Sequence, residues 1–450
     1  MKKLTSTTFP QGGIHPVDNK LTADKPIQDL GLPESVSVHL TQHIGKPATA
    51  IVQTGDTVKA GQLIAKADGF ISASLHAPVS GRIEKFIDVM DQTGYKKKAV
   101  IIKTTGDEWQ EGIDLSSDLI SEIQSDREAI IQKIAQAGII GMGGAGFPSH
   151  VKLQPPKDKT IEYLLINGVE CEPFLTSDHR LMLEKSRELI VGIQILLKAL
   201  KINKARVGVE ENKQDAIELL RQHAANDPRI EIHPLKVWYP QGGERQLVKA
   251  LTNREIPPPP KGLPHDTGCA VFNVATTFAV YEAVQKNKPC VERIVTVTGY
   301  NLTNPGNFRV RIGTSVTQLI QAAGGLPDNA GKILSGGPMM GKALPQTDIP
   351  ITKTMGGIVI LPEDQAQRKP SVECIRCAKC VSVCPLGLEP YLLMTLSDKE
   401  LWERAQEEKM LSCCECACCQ FICPSHRPLL DYIRRGKAVL TQILLSAKTK

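Results

Sequence analysis

Cys374-Ile-Arg-Cys377-Ala-Lys-Cys380-Val-Ser-Val-Cys384-Pro385 and Cys413-Cys414-Glu415-Cys416-Ala417-Cys418-Cys419-Gln420-Phe421-Ile422-Cys423-Pro424 are two copies of one pattern, C-x2-C-x2-C-x3-C-P. Three thiolates on one tight loop can reach three irons of a cubane, and the fourth must come from a segment that approaches otherwise. Where two such runs occur together, the last Cys of each ligates the other cluster. The spacing therefore predicts two [4Fe–4S] clusters. One is expected on Cys374, Cys377, Cys380 and Cys423, the other on Cys413, Cys416, Cys419 and Cys384. Zinc sites use separated CxxC pairs and do not need the C-P tail. Cys414 and Cys418 fall off the pattern and are expected to be spectators or a local alternative ligand set.

Between the runs, Leu392, Leu393, Leu396, Leu401, Trp402 and Ala405 recur at helical spacing. One or two helices over 389–410 would complete an α-helical, two-cluster ferredoxin-like module at 366–450. The apolar face of 428–447, with Arg434, Arg435 and Lys437 between its apolar residues, is expected to pack on that module; the alternative is that it lies on a membrane or a partner.

Ten of the 13 cysteines fall in this one region of the 450-residue chain, a clustering that points to metal rather than disulfides. Hydrophobic residues at 41% and charged residues at 23% are ordinary for a globular chain long enough for several domains. A net charge of +6 spread over the whole length argues against a nucleic-acid partner. No run of 18 apolar residues occurs; 189–200 is interrupted by Gly192, Gln194 and Lys198. The opening MKKLTSTTFPQGG has no apolar core of a signal peptide. A cytosolic protein, attached to a membrane at most from the side, is expected.

Upstream, Gly138, Gly141, Gly143, Gly144 and Gly146 crowd the stretch 137–148, after a helical pattern over 121–137. Such a loop lets backbone N–H groups approach an anion. The apolar strand 163–166 follows and ends in Asn167-Gly168-Val169-Glu170-Cys171-Glu172-Pro173. Polar groups at the carboxyl end of a strand, beside a glycine loop, lie where open α/β sheets bind ligands. A helical run over 180–199 and a strand over 205–209 continue the α/β pattern.

These residues resemble the FMN/NADH-binding flavoprotein subunit of respiratory complex I, as do Tyr239-Pro240-Gln241-Gly242-Gly243-Glu244 and Phe272-Asn273-Val274. The resemblance implies FMN and NAD(H) at Gly141, Gly143, Gly144, Ala145, Gly146, Phe147, Lys152, Asn167, Glu170, Tyr239, Gly242, Glu244 and Asn273. Val169, Gly243 and Phe272 replace that family's Asp, Glu and Asn. With Phe9-Pro10-Gln11-Gly12-Gly13-Ile14-His15-Pro16 and the two cysteine runs added, residues 5–435 resemble the RnfC (RsxC) family. The cluster runs separate it from the similar NqrA family. What this resemblance implies is a peripheral subunit of an ion-translocating, NAD-linked electron-transport complex on the cytoplasmic side of the bacterial inner membrane. Its electrons would pass between NAD(H)/FMN and the two clusters. Its partners would be the other subunits and a ferredoxin-type redox protein. No acid/base catalytic residue is expected, since hydride transfer to flavin needs none. In an alternative reading, prompted by Val169 and Gly243, the α/β domain has lost its nucleotide and only conducts or scaffolds.

The remaining segments complete the organisation. Residues 1–34 form an arm and 35–105 read all-β, resembling a barrel-sandwich hybrid. No lysine occurs from Ala67 to Gly81, so the hybrid is expected to be a packing module rather than a swinging arm, with Phe70 near the usual lysine position. Residues 115–290 form the Rossmann-like α/β flavin-type domain, and 291–365 resemble a β-grasp-type, SLBB-like domain. Met339 and Met340 are expected to be turn and core residues. Pro257 to Pro260 read as a stiff connector. His15, His76, His150 and His265 have no metal-like spacing to one another.

Overall fold

The computed structural model describes residues 6–258 and 262–448, with side chains to residue 446. Pro259 and Pro260 of the expected connector lie outside the described residues.

Alternating apolar residues close the first β unit as a sandwich. Strands Ser35–His39, Lys96–Gly106, Ser80–Met90 and Thr57–Val58 form one sheet, and Thr49–Ala50, Leu63–Lys66 and Leu75–His76 the other. Val36, Val38, Ile83, Val100 and Ile102 of the first meet Ile64, Ala65 and Leu75 of the second in one core.

Tyr163–Asn167 is apolar because both of its faces are covered. It lies in a four-stranded, wholly parallel sheet ordered Ile230–Leu235, Ala205–Glu210, Tyr163–Asn167, Cys269–Asn273. Chain order thus runs outward from Tyr163–Asn167 in one direction, then reverses to place Cys269–Asn273 on its other side. The switch point between these two strands is where such sheets bind ligands. Leu164 and Ile166 face one helical layer. Leu165 and Val271 face the helix Glu244–Thr252 through Leu247, Val248 and Leu251.

Two helical expectations need correction. The helix before the glycine loop spans only Arg127–Gln136, because the Asp126 carboxylate caps it by accepting from Ala129 N at 2.8 Å. Upstream the chain runs extended along the helix Val274–Gln285, held by Tyr281 Oη and Gln285 Nε2 at the backbone of Ile120. The run over 180–199 is two helices, Ser177–Glu184 and Ser186–Leu200, broken at Lys185.

A six-stranded mixed sheet follows, ordered Ile27–Asp29, Gly306–Arg311, Glu292–Gly299, Gly357–Pro362, Ala330–Ser335, Lys342–Ala343. One of its two edge strands, Ile27–Asp29, comes from the N-terminal arm. A helix that the strand pattern did not announce, Val316–Ala322, packs Val316, Leu319 and Ile320 against it.

The C-terminal module is helical: Pro390–Asp398, Trp402–Glu407 and the long Leu429–Lys448 enclose Leu393, Leu396, Ala405, Met410, Ile433 and Leu440. Most of the tail's apolar face therefore lies on this module, although Ile443 remains 44% exposed. Among the described residues no helix is long and apolar enough to cross a membrane.

Candidate functional site

Asn167 and Asn273 end adjacent parallel strands in register at the switch point. Asn273 also caps the helix Val274–Gln285, accepting from Ala275 N at 2.9 Å. Over this corner lies the glycine loop. Its base is closed by Gly141 N to Phe147 O (2.8 Å) and Gly146 N to Gly141 O (3.1 Å), and Met142 N is held by Thr276 Oγ1. Gly146 takes φ +68, and its carbonyl accepts Ile44 N of the hybrid.

At the exposed tip, the amides of Gly143, Gly144 and Ala145 make no hydrogen bond to the described chain. A Cβ on Gly143 would lie 3.2 Å from Asn273 Cβ, so the tip faces the switch point closely. Free amides beside the start of a twelve-residue helix fit a phosphate-bearing group.

Lys152 reaches the same strand from beyond the loop. Its Nζ donates to Val271 O at 3.0 Å and stands 5.6 Å from the Phe272 ring centroid. Burial lowers its pKa, and Glu244 opposes that shift. Glu244 is exposed at the first turn of Glu244–Thr252. Asn167 Nδ2 donates to Gly242 O at 2.9 Å, and Gly242 N points at Cys171 Sγ at 3.3 Å. Tyr239 is buried, with its hydroxyl 3.4 Å from Glu172 Oε1.

Glu170 takes a role its motif did not announce. At φ +48 it turns its carboxylate onto the helix Ser177–Glu184, accepting from Asp178 N (2.7 Å) and His179 N (3.0 Å). Its neighbour Glu172 accepts Met339 N and Met340 N, tying the site to the 336–341 turn of the SLBB-like sheet. Burial raises the pKa of Glu172.

Several residues here escaped the sequence reading. Asp178 accepts Asn273 Nδ2 at 2.6 Å, and burial with the Glu170 charge raises its pKa to about 6. Lys20 donates to the carbonyls of Glu170, Glu172 and Leu175 at 2.7 to 2.8 Å. Arg293 is buried beneath the glycine loop and donates to Met142 O at 2.8 Å. Thr176-Ser177-Asp178 carries a helix-start signal that could have found Asp178. Nothing local marks Lys20 or Arg293.

The two cysteine runs fold alike. Arg376 and Ala378 (both φ +57) correspond to Glu415 (φ +59) and Ala417 (φ +65). Gly387 (φ +64) and His426 (φ +49) each stand three residues after the last Cys of their run. Short helices, Lys379–Ser382 and Cys418–Ile422, occupy matching places. Left-handed residues recurring at equal spacing are the backbone geometry of an anion-binding nest, which suits an anionic sulfur cluster.

A small cavity is lined by Cys384, Cys413, Cys416 and Cys419, the second expected ligand set, and equally by Cys414 and Cys418. Of the other set, Cys380 and Cys423 pack together. Cys374 and Cys377 are exposed, whereas Cys384, Cys416 and Cys419 are buried. Burial pushes the Cys413 thiol up to about 12, a cost that ligation to a metal would reverse by deprotonating it. Among the described residues no three His, Cys, Asp or Glu side chains close around a single-ion position; a cubane's ligands, each on a different iron, stand farther apart.

Glu415 pairs with Arg434 (3.0 Å) and Lys437 (2.6 Å), so the terminal helix's basic residues hold the second loop. That loop rests on the α/β domain: Cys418 Sγ lies 4.0 Å from Tyr239 O, and Cys416, Cys418, Tyr239, Met339 and Ile14 form one cluster. A separate hollow of about 840 Å³, on the hybrid near Lys59, His76 and Glu108, touches none of these groups and is too open to resemble a binding site.

A family model described as the Nuo51 FMN-binding domain matches residues 134–282. The RnfC barrel sandwich hybrid domain matches 7–107, and the SLBB domain 294–343. The C component of the proton-translocating ferredoxin:NAD(+) oxidoreductase complex from Clostridium ljungdahlii is 43% identical over 88% of this chain and 86% of its own length. Its counterpart in the Na(+)-translocating ferredoxin:NAD(+) oxidoreductase complex from Acetobacterium woodii is 40% identical over 95% of this chain and 96% of its own. Among solved structures, an NAD+-reducing [NiFe]-hydrogenase in the H2-reduced state shares the fold, with TM-score 0.50 and 19% identity over 70% of this chain and 63% of that one.

Proposed function

The chain belongs to the RnfC family, subunits of ion-translocating ferredoxin:NAD(+) oxidoreductase complexes, and on that premise we propose that it is a two-site electron relay. In this reading the switch-point crevice takes FMN and NAD(H), and the cysteine runs take two [4Fe–4S] clusters. FMN supplies the exchange between a hydride pair and single electrons, and each cluster carries one.

The chain's own residues divide the work. The amides of Gly143, Gly144 and Ala145 bind the flavin phosphate, with Gly141, Gly146 and Phe147 closing the loop beneath them. Lys152 adds positive charge at the crevice, and Asn167 and Asn273 orient what lies over the strand ends. Glu170 holds the start of its helix in place, while Gly242 and Glu244 line the opposing wall.

One observation carries the reading. The segment 239–242 touches both sites, since Asn167 holds Gly242 while Cys418 packs on Tyr239. The site holding Cys384, Cys413, Cys416 and Cys419 is therefore the inner one. The exposed Cys374 and Cys377, on a loop that also carries exposed Val372 and Ile375, mark the outer one. There a ferredoxin-type protein or another subunit would exchange electrons, on the cytoplasmic side of the membrane.

Anaerobic reconstitution of the clusters, addition of FMN and titration with NADH, followed by EPR and absorbance, tests the assignment. Cluster reduction by NADH only when FMN is present supports it. Clusters that dithionite reduces but NADH with FMN does not, even with partner subunits present, would favour the conduit reading prompted by Val169 and Gly243.

A further inference from the structure

The motif Phe9-Pro10-Gln11-Gly12-Gly13-Ile14-His15-Pro16 belongs to the N-terminal arm. It lies in the seam between the α/β domain and the cysteine-rich module, with Phe9 and Ile14 buried. Ile14 exchanges two backbone hydrogen bonds with Tyr239, each 2.9 Å. One residue earlier, Gly13 N donates to Val383 O at 2.9 Å, and Val383 directly precedes Cys384. Trp238 Nε1 donates to Gly12 O at 2.9 Å. Two successive residues therefore join the segment Asn167 holds to the turn that presents Cys384.

The fit leaves no room for side chains. Gly12 (φ +69) would put a Cβ 2.5 Å from the carbonyl carbon of Cys384, and Gly13 (φ +85) would drive one into the Trp238 indole. Positive φ alone favours glycine at both places. Neighbouring residues of the arm only anchor it: Thr7 bridges to Leu235 at the sheet edge, and Lys20 binds the carbonyls of the acidic loop.

We propose that residues 9–16 are a positioning strap that sets the distance between the inner cluster and the flavin-type site. The inference rests on the electron-relay reading above. Electron tunnelling falls exponentially with distance, so a strap bonded to both segments governs rate without touching either cofactor. Gly12 and Gly13 are positioning residues, with Trp238 as their clasp.

The test uses the full chain with reconstituted clusters and FMN, as Gly13→Ala and Trp238→Phe. Iron, sulfide and FMN per chain are measured, then the growth of the reduced-cluster EPR signal after NADH and, separately, after dithionite. The strap predicts unchanged cofactor content and unchanged dithionite reduction, with NADH-driven reduction slowed roughly tenfold or more in Gly13→Ala and less in Trp238→Phe. Unchanged NADH rates in both variants overturn it. If Gly13→Ala fails to retain clusters, Trp238→Phe alone decides. If NADH reduces no cluster in the unsubstituted protein, the relay reading fails instead, and hydrogen exchange judges the strap. Gly13→Ala must then raise exchange at both 238–242 and 383–388, and no rise at either refutes it.

Discussion

Asn273 donates a 2.6 Å hydrogen bond to the carboxylate of Asp178, joining the last residue of a parallel strand to the first turn of the helix that Glu170 caps. This pair sets a carboxylate of raised pKa beside the switch point.

Burial, with Glu170 adding a like charge, lifts the folded pKa of Asp178 to about 6 from an ordinary 3.8. The folded state therefore binds more protons between those values, and the stability Asp178 lends below about pH 4 is lost as pH rises through about 6. Asp178→Asn should raise stability by about 1 to 2 kcal/mol at pH 7.5 and leave it unchanged near pH 4. Urea unfolding of both proteins at several pH values measures the gap. A gap independent of pH would refute the assignment.

Gly143 points its missing Cβ at Asn273 from 3.2 Å, in an exposed tip. Gly143→Val should weaken FMN binding roughly tenfold, about 1.4 kcal/mol, and leave the melting temperature nearly unchanged. Flavin fluorescence quenching on titration gives the affinity. Undiminished affinity would remove the loop from the site.

On the proposed crossed ligation, substitutions of the cysteines have unequal consequences. Cys384→Ala should lower iron from about eight to about four per chain, although Cys384 belongs in sequence to the run holding the other cluster. Cys414→Ser and Cys418→Ala should keep about eight. Iron and acid-labile sulfide analysis after anaerobic reconstitution decides between ligands and spectators. Loss of iron in Cys418→Ala would redraw the inner set.

Acid should loosen the hybrid from the glycine loop. Lys353 is buried there and donates to Ser74 O and Gly138 O. Near it stands His76, whose folded pKa burial and the lysine charge drive down to about 3. His43 and His150 face the same joint, both lowered chiefly by burial. A depressed histidine pKa means the unfolded state binds more protons, so stability falls as pH drops below about 6.5. His76→Gln should flatten part of that slope, by about 1 to 2 kcal/mol at pH 4.5. Thermal melts from pH 7.5 to 4.5 measure it, and parallel curves for the two proteins would rule His76 out.

Much of this architecture was legible because its signals are local. The cysteine spacing, the glycine loop and the strand ending at Asn167 each declare themselves within a dozen residues. Departures arose where distant groups took over. Tyr281 and Gln285 capture the backbone of Ile120 and deny a helix to the stretch before Asp126. Lys20 and Arg293 stabilise the site from elements far away in sequence, and no short pattern marks them. Glu170 matched a motif, yet its carboxylate caps a helix, a role that depends on how 171–176 turn back.

The stretch of the arm around Gly13 is synthesised long before Val383 and Cys384 exist for it to bind. Contacts of such sequence separation form late, because closing so long a loop costs entropy before any contact repays it. The glycines at 12 and 13 thus join a seam whose two sides must already be built. Loop-closure entropy favours an assembly order in which the sheet and cysteine loops come first and the earliest-made segment docks last. Until then the buried faces of Phe9, Ile14 and Tyr239 stand open to water, and a chain caught at that stage is one a chaperone would recognise.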